Sequence, residues 1–244
     1  MEQSQNKMSQ AEQKELVAST AIDTLIKDKK IFSGMKIGLG TGSTAVPVVK
    51  HLAKRIADGT VKDIKAVVTS FGTQNLCEEL GIPVYSMNDK IIGGHLDLAI
   101  DGADEVDPQN NVIKGGGAAL LREKIVAYNS DQFVIVADST KVVDSLGTKF
   151  HLPVEIIGEA RVPVTAALNK LGAECFLREG VRKCGPVITD NGNQLLDIVW
   201  KEPVDPAKME DVINGIVGVV DNGFFTKNKP IVFTIDSDCK VIQR

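Results

Sequence analysis

A chain of 244 residues with 43% apolar and 25% charged side chains can bury one large core, or one core plus a smaller satellite domain. A formal charge of -4 and a pI of about 5.5 exclude the broad basic surface that a polynucleotide requires. No run of about eighteen apolar residues offers a membrane span, and the polar start "MEQSQNKMSQAEQ" lacks the apolar heart of a signal peptide, so a cytoplasmic chain is expected.

The first ten residues read as a frayed tail. From residue 35 apolar runs alternate with helical patterns: "MKIGLG", then the amphipathic "STAVPVVKHLAKRIADG", then "IKAVVTS" before "GTQNLCEEL". The short run "IPVYSM" follows, then "LDLAI", a glycine-rich segment with its own helix, and "QFVIVAD". Such alternation predicts an α/β fold built on a Rossmann-like, doubly wound, mostly parallel sheet. Beyond residue 150 the pattern becomes β-α-β-β-α-β: "LPVEII", "VPVTAALNKLG", "AECFLREG", a hairpin "VITDNGNQLLDIV" turning at Asn191-Gly192, "PAKMEDVINGI" and "VGVVDNG". This predicts a smaller ferredoxin-like α+β domain over 151–226, inserted in a main domain of 1–150 and 227–244. The runs "PIVFTID" and "KVIQR" close the chain as a terminal hairpin.

In open α/β sheets ligands gather beyond the carboxyl ends of the strands, and the unusual motifs sit at such ends. In "GLGTGSTA" a strand ends at Gly40, turns through Thr41 and Gly42, and opens a helix at Ser43 and Thr44. Free N–H groups and hydroxyls there suit a phosphate or carboxylate. The dinucleotide fingerprint is not met, because Ser43 stands where its third glycine belongs and the next strand ends in Ser70. A plain helix cap, with Pro47 in the first turn, fits the same residues.

The strand "LDLAI" delivers Asp101, and Asp104 follows three residues on. Two carboxylates in a small space raise at least one pKa toward neutrality, although a solvated acidic turn, with Asp107 before Pro108, would read the same way. In "KGGGAALLREKIVA", Gly115, Gly116 and Gly117 free the backbone to form a nest of N–H donors, with Lys114 at its mouth. On the following helix Glu123 has Ala119, Leu120, Val126 and Ala127 at the three- and four-residue spacings, and Arg122 and Lys124 face elsewhere. A carboxylate so placed is a candidate general base, unless it is exposed and paired elsewhere. Lys141, three residues past "QFVIVAD", could reach the same sheet edge or simply be solvated. Cys77, Cys175, Cys184 and Cys239 form no CxxC, and His51, His95 and His151 form no ligand cluster, so no metal site is expected.

The motifs "GTGSTA", "DGADE", "KGGGAALLREKI", "ADSTKVV" and "ITDNGN" occur in one order from about Gly38 to Val220, and in this the chain closely resembles ribose-5-phosphate isomerases of the A type. The resemblance implies interconversion of D-ribose 5-phosphate and D-ribulose 5-phosphate in the non-oxidative pentose phosphate pathway, without metal or organic cofactor. It implies Glu123 as the base at carbon, with Asp101 and Lys114 in ring opening and proton handling and Asp104 in the same pocket. Thr41, Gly42, Ser43, Thr44, Lys141 and the three glycines would hold the sugar phosphate or its enediolate. It also implies a homodimer or homotetramer. A lysine that approaches the phosphate in some relatives matches only loosely to Lys14, which is left out of the site. Amino-sugar-phosphate deaminase/isomerases and CoA transferases carry a similar first turn but do not explain "DGADE" together with "KGGG". A non-catalytic sugar-phosphate sensor remains the other alternative.

Overall fold

The computed structural model describes residues 8–244. Residues 1–7 of the expected tail lie outside it, and the rest of that tail is ordered. Helix α1 (Gln10–Lys27) begins there with a capping box, in which Ser9 accepts from the Glu12 N–H and Glu12 returns the bond to the Ser9 backbone. Its apolar side, Val17, Ala18, Ala21, Ile22 and Leu25, is fully buried.

Strand β1 (Lys36–Leu39), helix α2 (Ala45–Ala57), strand β2 (Lys65–Val68) and helix α3 (Phe71–Glu79) follow as two strand–helix units. The run "IPVYSM" forms no strand; Val84 makes a single bridge to Ala66. Strand β3 (Leu96–Asp101) returns to the far side of β1 and leads into two short strands, β4 (Glu105–Val106) and β5 (Val112–Ile113). The glycine turn then delivers helix α4 (Leu120–Tyr128) and strand β6 (Ser130–Val136).

Next come β7 (Leu152–Ile156), α5 (Arg161–Lys170), β8 (Glu174–Leu177), β9 (Gln194–Val199), α6 (Pro206–Asn214) and β10 (Val219–Asn222). Their four strands make one antiparallel sheet in the order β10-β7-β9-β8, the ferredoxin-like arrangement. The expected hairpin within 187–199 is corrected: only its second arm is a strand, and that strand pairs with β8. The segment before it is spent on a tight turn, where Thr189 N–H donates to Asn193 O and Gly192 takes a φ of +83°.

After β11 (Phe224–Phe225), which pairs with β5, strand β12 (Ile231–Ile235) runs parallel to β6, and β13 (Val241–Gln243) closes the edge antiparallel to β12. The main sheet therefore has the order β13-β12-β6-β3-β1-β2, parallel except at β13. Its direction of winding reverses between β1 and β3, which opens a crevice beyond Leu39 and Asp101. One core layer lies under α1 and α2, and a second joins Leu96, Val126, Phe133 and Phe225 on the α4 side. A third fills the small sheet around Leu152, Val164, Leu196 and Ile213. At Gly38 an added Cβ would lie 2.2 Å from Val126, so glycine there lets α4 sit directly on β1.

Candidate active site

The crevice holds a cavity of about 250 Å³. Thr41, Gly42, Ser43, Thr44, Asp104, Lys114, Gly115, Gly116, Gly117, Glu123 and Lys141 all line it, together with Gly102 and Ala103. Asp101 is not on its wall. It lies behind Lys114, only 4% exposed, under the turn that ends β1. The turn requires glycine at position 40, because a Cβ would stand 1.9 Å from the Asp101 carboxyl carbon. The same carboxylate accepts from Thr41 N–H at 3.1 Å and from Gly102 N–H at 2.7 Å, which joins the ends of β1 and β3.

Lys114 leaves β5 and is only 2% exposed. Its Nζ lies 2.9 Å from Asp101 Oδ2 and 3.4 Å from Glu123 Oε1, and it donates to Gly102 O at 2.6 Å. Burial alone would lower its pKa, but Asp101 and Glu123 outweigh that and hold it above the usual lysine value. Burial pushes Glu123 up to about 8; Lys114 opposes that rise, while Asp101 and Asp104 add to it. Burial likewise raises Asp101, against the pull of Lys114 and two backbone donors. Glu123 Oε2 is buried without a hydrogen-bond partner. A carboxyl group on a cavity wall, with one oxygen so left and a pKa near neutrality, is equipped to exchange a proton with a ligand.

Asp104 accepts from Gly116 N–H at 2.8 Å, so one of the expected nest donors is already engaged by a side chain. Gly115 takes a φ of +105° and Ala118 one of +60°, the sharp bend that turns β5 back into α4. On the opposite wall Thr44 opens α2 with no side-chain cap bond, which leaves that helix end able to receive an anion. The residues beside Glu123 face away as expected. Lys124 is engaged by Asp221 at 2.7 Å and Glu210 at 3.3 Å, and Arg122 reaches Asn191 at 3.1 Å.

Three contributors were missed or set aside in the sequence. Lys14 of α1 donates to Ser43 Oγ at 2.9 Å, which brings a cation to the anion turn. Thr41 Oγ1 is held by Thr69 at 2.6 Å and Ser70 at 2.8 Å, while Thr73 donates to Gly40 O at 2.8 Å. Arg178, from the end of β8, donates to Gly115 O at 2.8 Å and Gly116 O at 3.2 Å. The available signals were the S-x-x-E capping box of α1 and the hydroxyl-rich ending "TSFGT" of β2; no local signal marks Arg178. No group of three or more His, Cys, Asp or Glu arranged for a metal occurs among the described residues. No described helix is long and apolar enough to cross a membrane.

Fold and site together define an acid–base enzyme of the open α/β class, with a cradle for a small anion beside a buried carboxylate–lysine cluster. The ribose 5-phosphate isomerase A (phosphoriboisomerase A) family profile matches residues 65–238. Ribose-5-phosphate isomerase A of Treponema denticola is 59% identical over 95% of this chain and 98% of its own, and that of Treponema pallidum subsp. pallidum is 52% identical over 95% and 92%. A ribose 5-phosphate isomerase A structure from Methanocaldococcus jannaschii superposes with a TM-score of 0.87 at 39% identity, covering 97% of this chain and 100% of that one. A D-ribose-5-phosphate isomerase structure in complex with phospho-erythronic acid gives 0.89 at 39% identity with the same coverage. The chain belongs to the ribose 5-phosphate isomerase A family and is an aldose–ketose isomerase.

Proposed function

We propose that the chain interconverts D-ribose 5-phosphate and D-ribulose 5-phosphate through an enediolate, with Glu123 as the base that carries the proton between C2 and C1. The observation that carries this reading is the cluster Asp101–Lys114–Glu123, with Glu123 on the cavity wall and its Oε2 unpartnered. In the aldose-to-ketose direction Glu123 takes the C2 proton and returns it to C1, while O1 gains a proton and O2 loses one. The Lys114 ammonium faces the negative charge that develops on these oxygens, where a preorganised cation is worth most. Asp101, away from the wall, acts through Lys114 by keeping it protonated and fixed. In ring opening Asp104 takes the O1 hydroxyl proton, the C1–O4 bond breaks as C1=O1 forms, and O4 is protonated by the Lys114 ammonium, which leaves the proton count of the site unchanged; Gly115, Gly116 and Gly117 let the backbone approach the enediolate.

Thr41, Gly42, Ser43 and Thr44 at the start of α2 hold the phosphate end, with Lys141 and, through Ser43, Lys14 as its counter-charges. The ligand of the second solved relative fits this division, since a phosphorylated sugar acid carries a planar anion at one end and a phosphate at the other. We read 1–150 with 227–244 as the catalytic unit and 151–226 as a supporting ferredoxin-like unit. We further propose a cytoplasmic homodimer or homotetramer. The four free thiols suit a reducing compartment, and the apolar groove of Pro163, Leu171, Val212 and Ile216 on the small unit suits a subunit contact.

The decisive experiment is turnover of ribose 5-phosphate in the presence of EDTA by the purified protein beside its Glu123→Gln variant. Metal-independent turnover that disappears in the folded variant is expected. A variant with wild-type kcat would remove Glu123 from the role. A folded wild type that binds ribose 5-phosphate without turning it over would establish the sensor alternative.

A further inference from the structure

The glycine turn that carries Lys114 into α4 closes with one backbone bond of its own, from Ala118 N–H to Gly115 O at 3.0 Å, and Asp104 holds its Gly116 N–H. Gly115 and Ala118 both take positive φ, and α4 is a nine-residue helix whose N-cap, Ala119, supplies no side-chain bond. The turn is also held from the small sheet. Arg178 reaches across from the end of β8 and donates through Nη1 to the carbonyls of both Gly115 and Gly116. Its other edge is gripped by Asp197 of β9, through Nε at 2.8 Å and through Nη2. A guanidinium is planar and offers its donors in a fixed fork, so a carboxylate on one edge determines where the opposite edge points.

We infer that Arg178, oriented by Asp197, is a positioning residue for the reaction. It fixes the Gly115 and Gly116 peptides so that Asp104, the backbone donors of the glycine turn and Glu123 keep their reacting geometry. The inference rests on the acid–base assignment proposed above and extends it to the supporting unit. Carbonyl acceptance at Gly115 fixes the peptide that carries the Gly116 N–H held by Asp104, and acceptance at Gly116 fixes the next peptide, which carries the Gly117 N–H. The same turn leads directly into α4 and hence to Glu123. Gly117, the third glycine on the cavity wall, donates no backbone hydrogen bond among the described residues, which leaves its N–H available to an oxyanion.

Lysine at position 178 keeps the charge but cannot hold Asp197 and two carbonyls in one plane. Displacements of about an ångström at a reacting centre cost up to ~10²-fold, so Arg178→Lys is expected to lower kcat by roughly 10- to 100-fold with KM within about threefold of wild type. Affinity for phospho-erythronic acid, an anionic mimic of the enediolate end, should fall in step with kcat. The rising limb of the pH profile should stay where Glu123 places it. Asp197→Asn, nearly isosteric and with Arg178 intact, should show the same signature at smaller size.

The test is steady-state kinetics, inhibitor affinity and thermal melting for the wild type and both variants, side by side. A purely structural role would lower Tm and leave kcat of the folded fraction unchanged; that outcome, or a change confined to KM, would overturn the inference. If Arg178→Lys does not fold, Asp197→Asn decides alone, a fall in kcat supporting the inference and an unchanged kcat overturning it. A wild type without isomerase activity would instead reject the acid–base assignment itself, so the two failures are distinguishable.

Discussion

The two walls of the cavity are built on opposite principles. The side at the end of β1 rests on hydroxyls: behind the cavity-lining Thr41, the side chains of Thr69, Ser70 and Thr73 bond to it, to one another and to the Gly40 carbonyl. On the other side Lys114 and Glu123 line the cavity with Asp101 behind them, all three almost completely buried, two carboxylates sharing one ammonium. Neutral hydrogen bonds stabilise by ~1 kcal/mol each and tolerate burial, whereas buried charges repay their desolvation only when every lone pair is met. Glu123 Oε2 is not met. One wall is arranged to rest and to bind; the other holds unfavourable electrostatics that a substrate can use.

The largest expected effect lies on the charged wall. Glu123→Gln should lower kcat by about 10²–10⁴-fold with KM little changed, measured as ribulose 5-phosphate formation, because it removes the proposed proton carrier and keeps the shape. A comparable loss from a substitution on the hydroxyl wall would abolish the distinction. Gly40→Ala tests the joint between the walls. Its Cβ would collide with the Asp101 carboxylate, so a stability loss of about 1–3 kcal/mol by denaturant titration, with reduced kcat, is expected.

The pH dependence follows from the raised pKa of Glu123. Between the ordinary carboxylate value of 4.5 and about 8 the folded protein binds more protons than the unfolded chain, so stability falls as pH rises through that window. Over the same range kcat/KM should rise, since in the proposed mechanism the free base is the active form. Denaturant titrations at several pH values should show that decline flattened in Glu123→Gln; an equal decline in both proteins would place the titrating group elsewhere. The smallest effect belongs to the anion side. Lys141→Ala should raise KM by several-fold with kcat nearly intact, because the residue lines the cavity and touches none of the reacting cluster.

Much of this was legible from composition and spacing. Asp104, Lys114 and Glu123 lie in two short motifs beyond the end of one strand, and the rule that ligands collect there carries them to one crevice. The apolar neighbours of Glu123 at helical spacing announced its burial, and Glu123 is buried along with Leu120, Val126 and Ala127. The sequence did not reveal that Asp101 would stand behind Lys114 instead of on the wall, because that depends on how closely Gly40 lets two strand ends approach. Lys14 was set aside because the resemblance matched it only loosely, although Ser9 and Glu12 form a readable capping box at the start of its helix. Arg178 offered no local signal. Its target is a pair of backbone carbonyls more than sixty positions earlier, and only the docking of the small sheet on the glycine turn connects them.

The placement of β12 beside β6 has a consequence for how the chain assembles. The whole antiparallel sheet is spelled out between these two neighbouring parallel strands, so the main sheet lacks both β12 and β13 until the residues from Ile231 onward have been made. Closing so long an excursion adds little to the equilibrium cost, because loop entropy grows only logarithmically with length. It weighs on the rate instead, since non-local pairing is slow. Until β12 arrives, the outer edge of β6 stands open to a wrong partner, so a chain truncated before Ile231 would expose an unpaired strand edge of the kind that promotes aggregation.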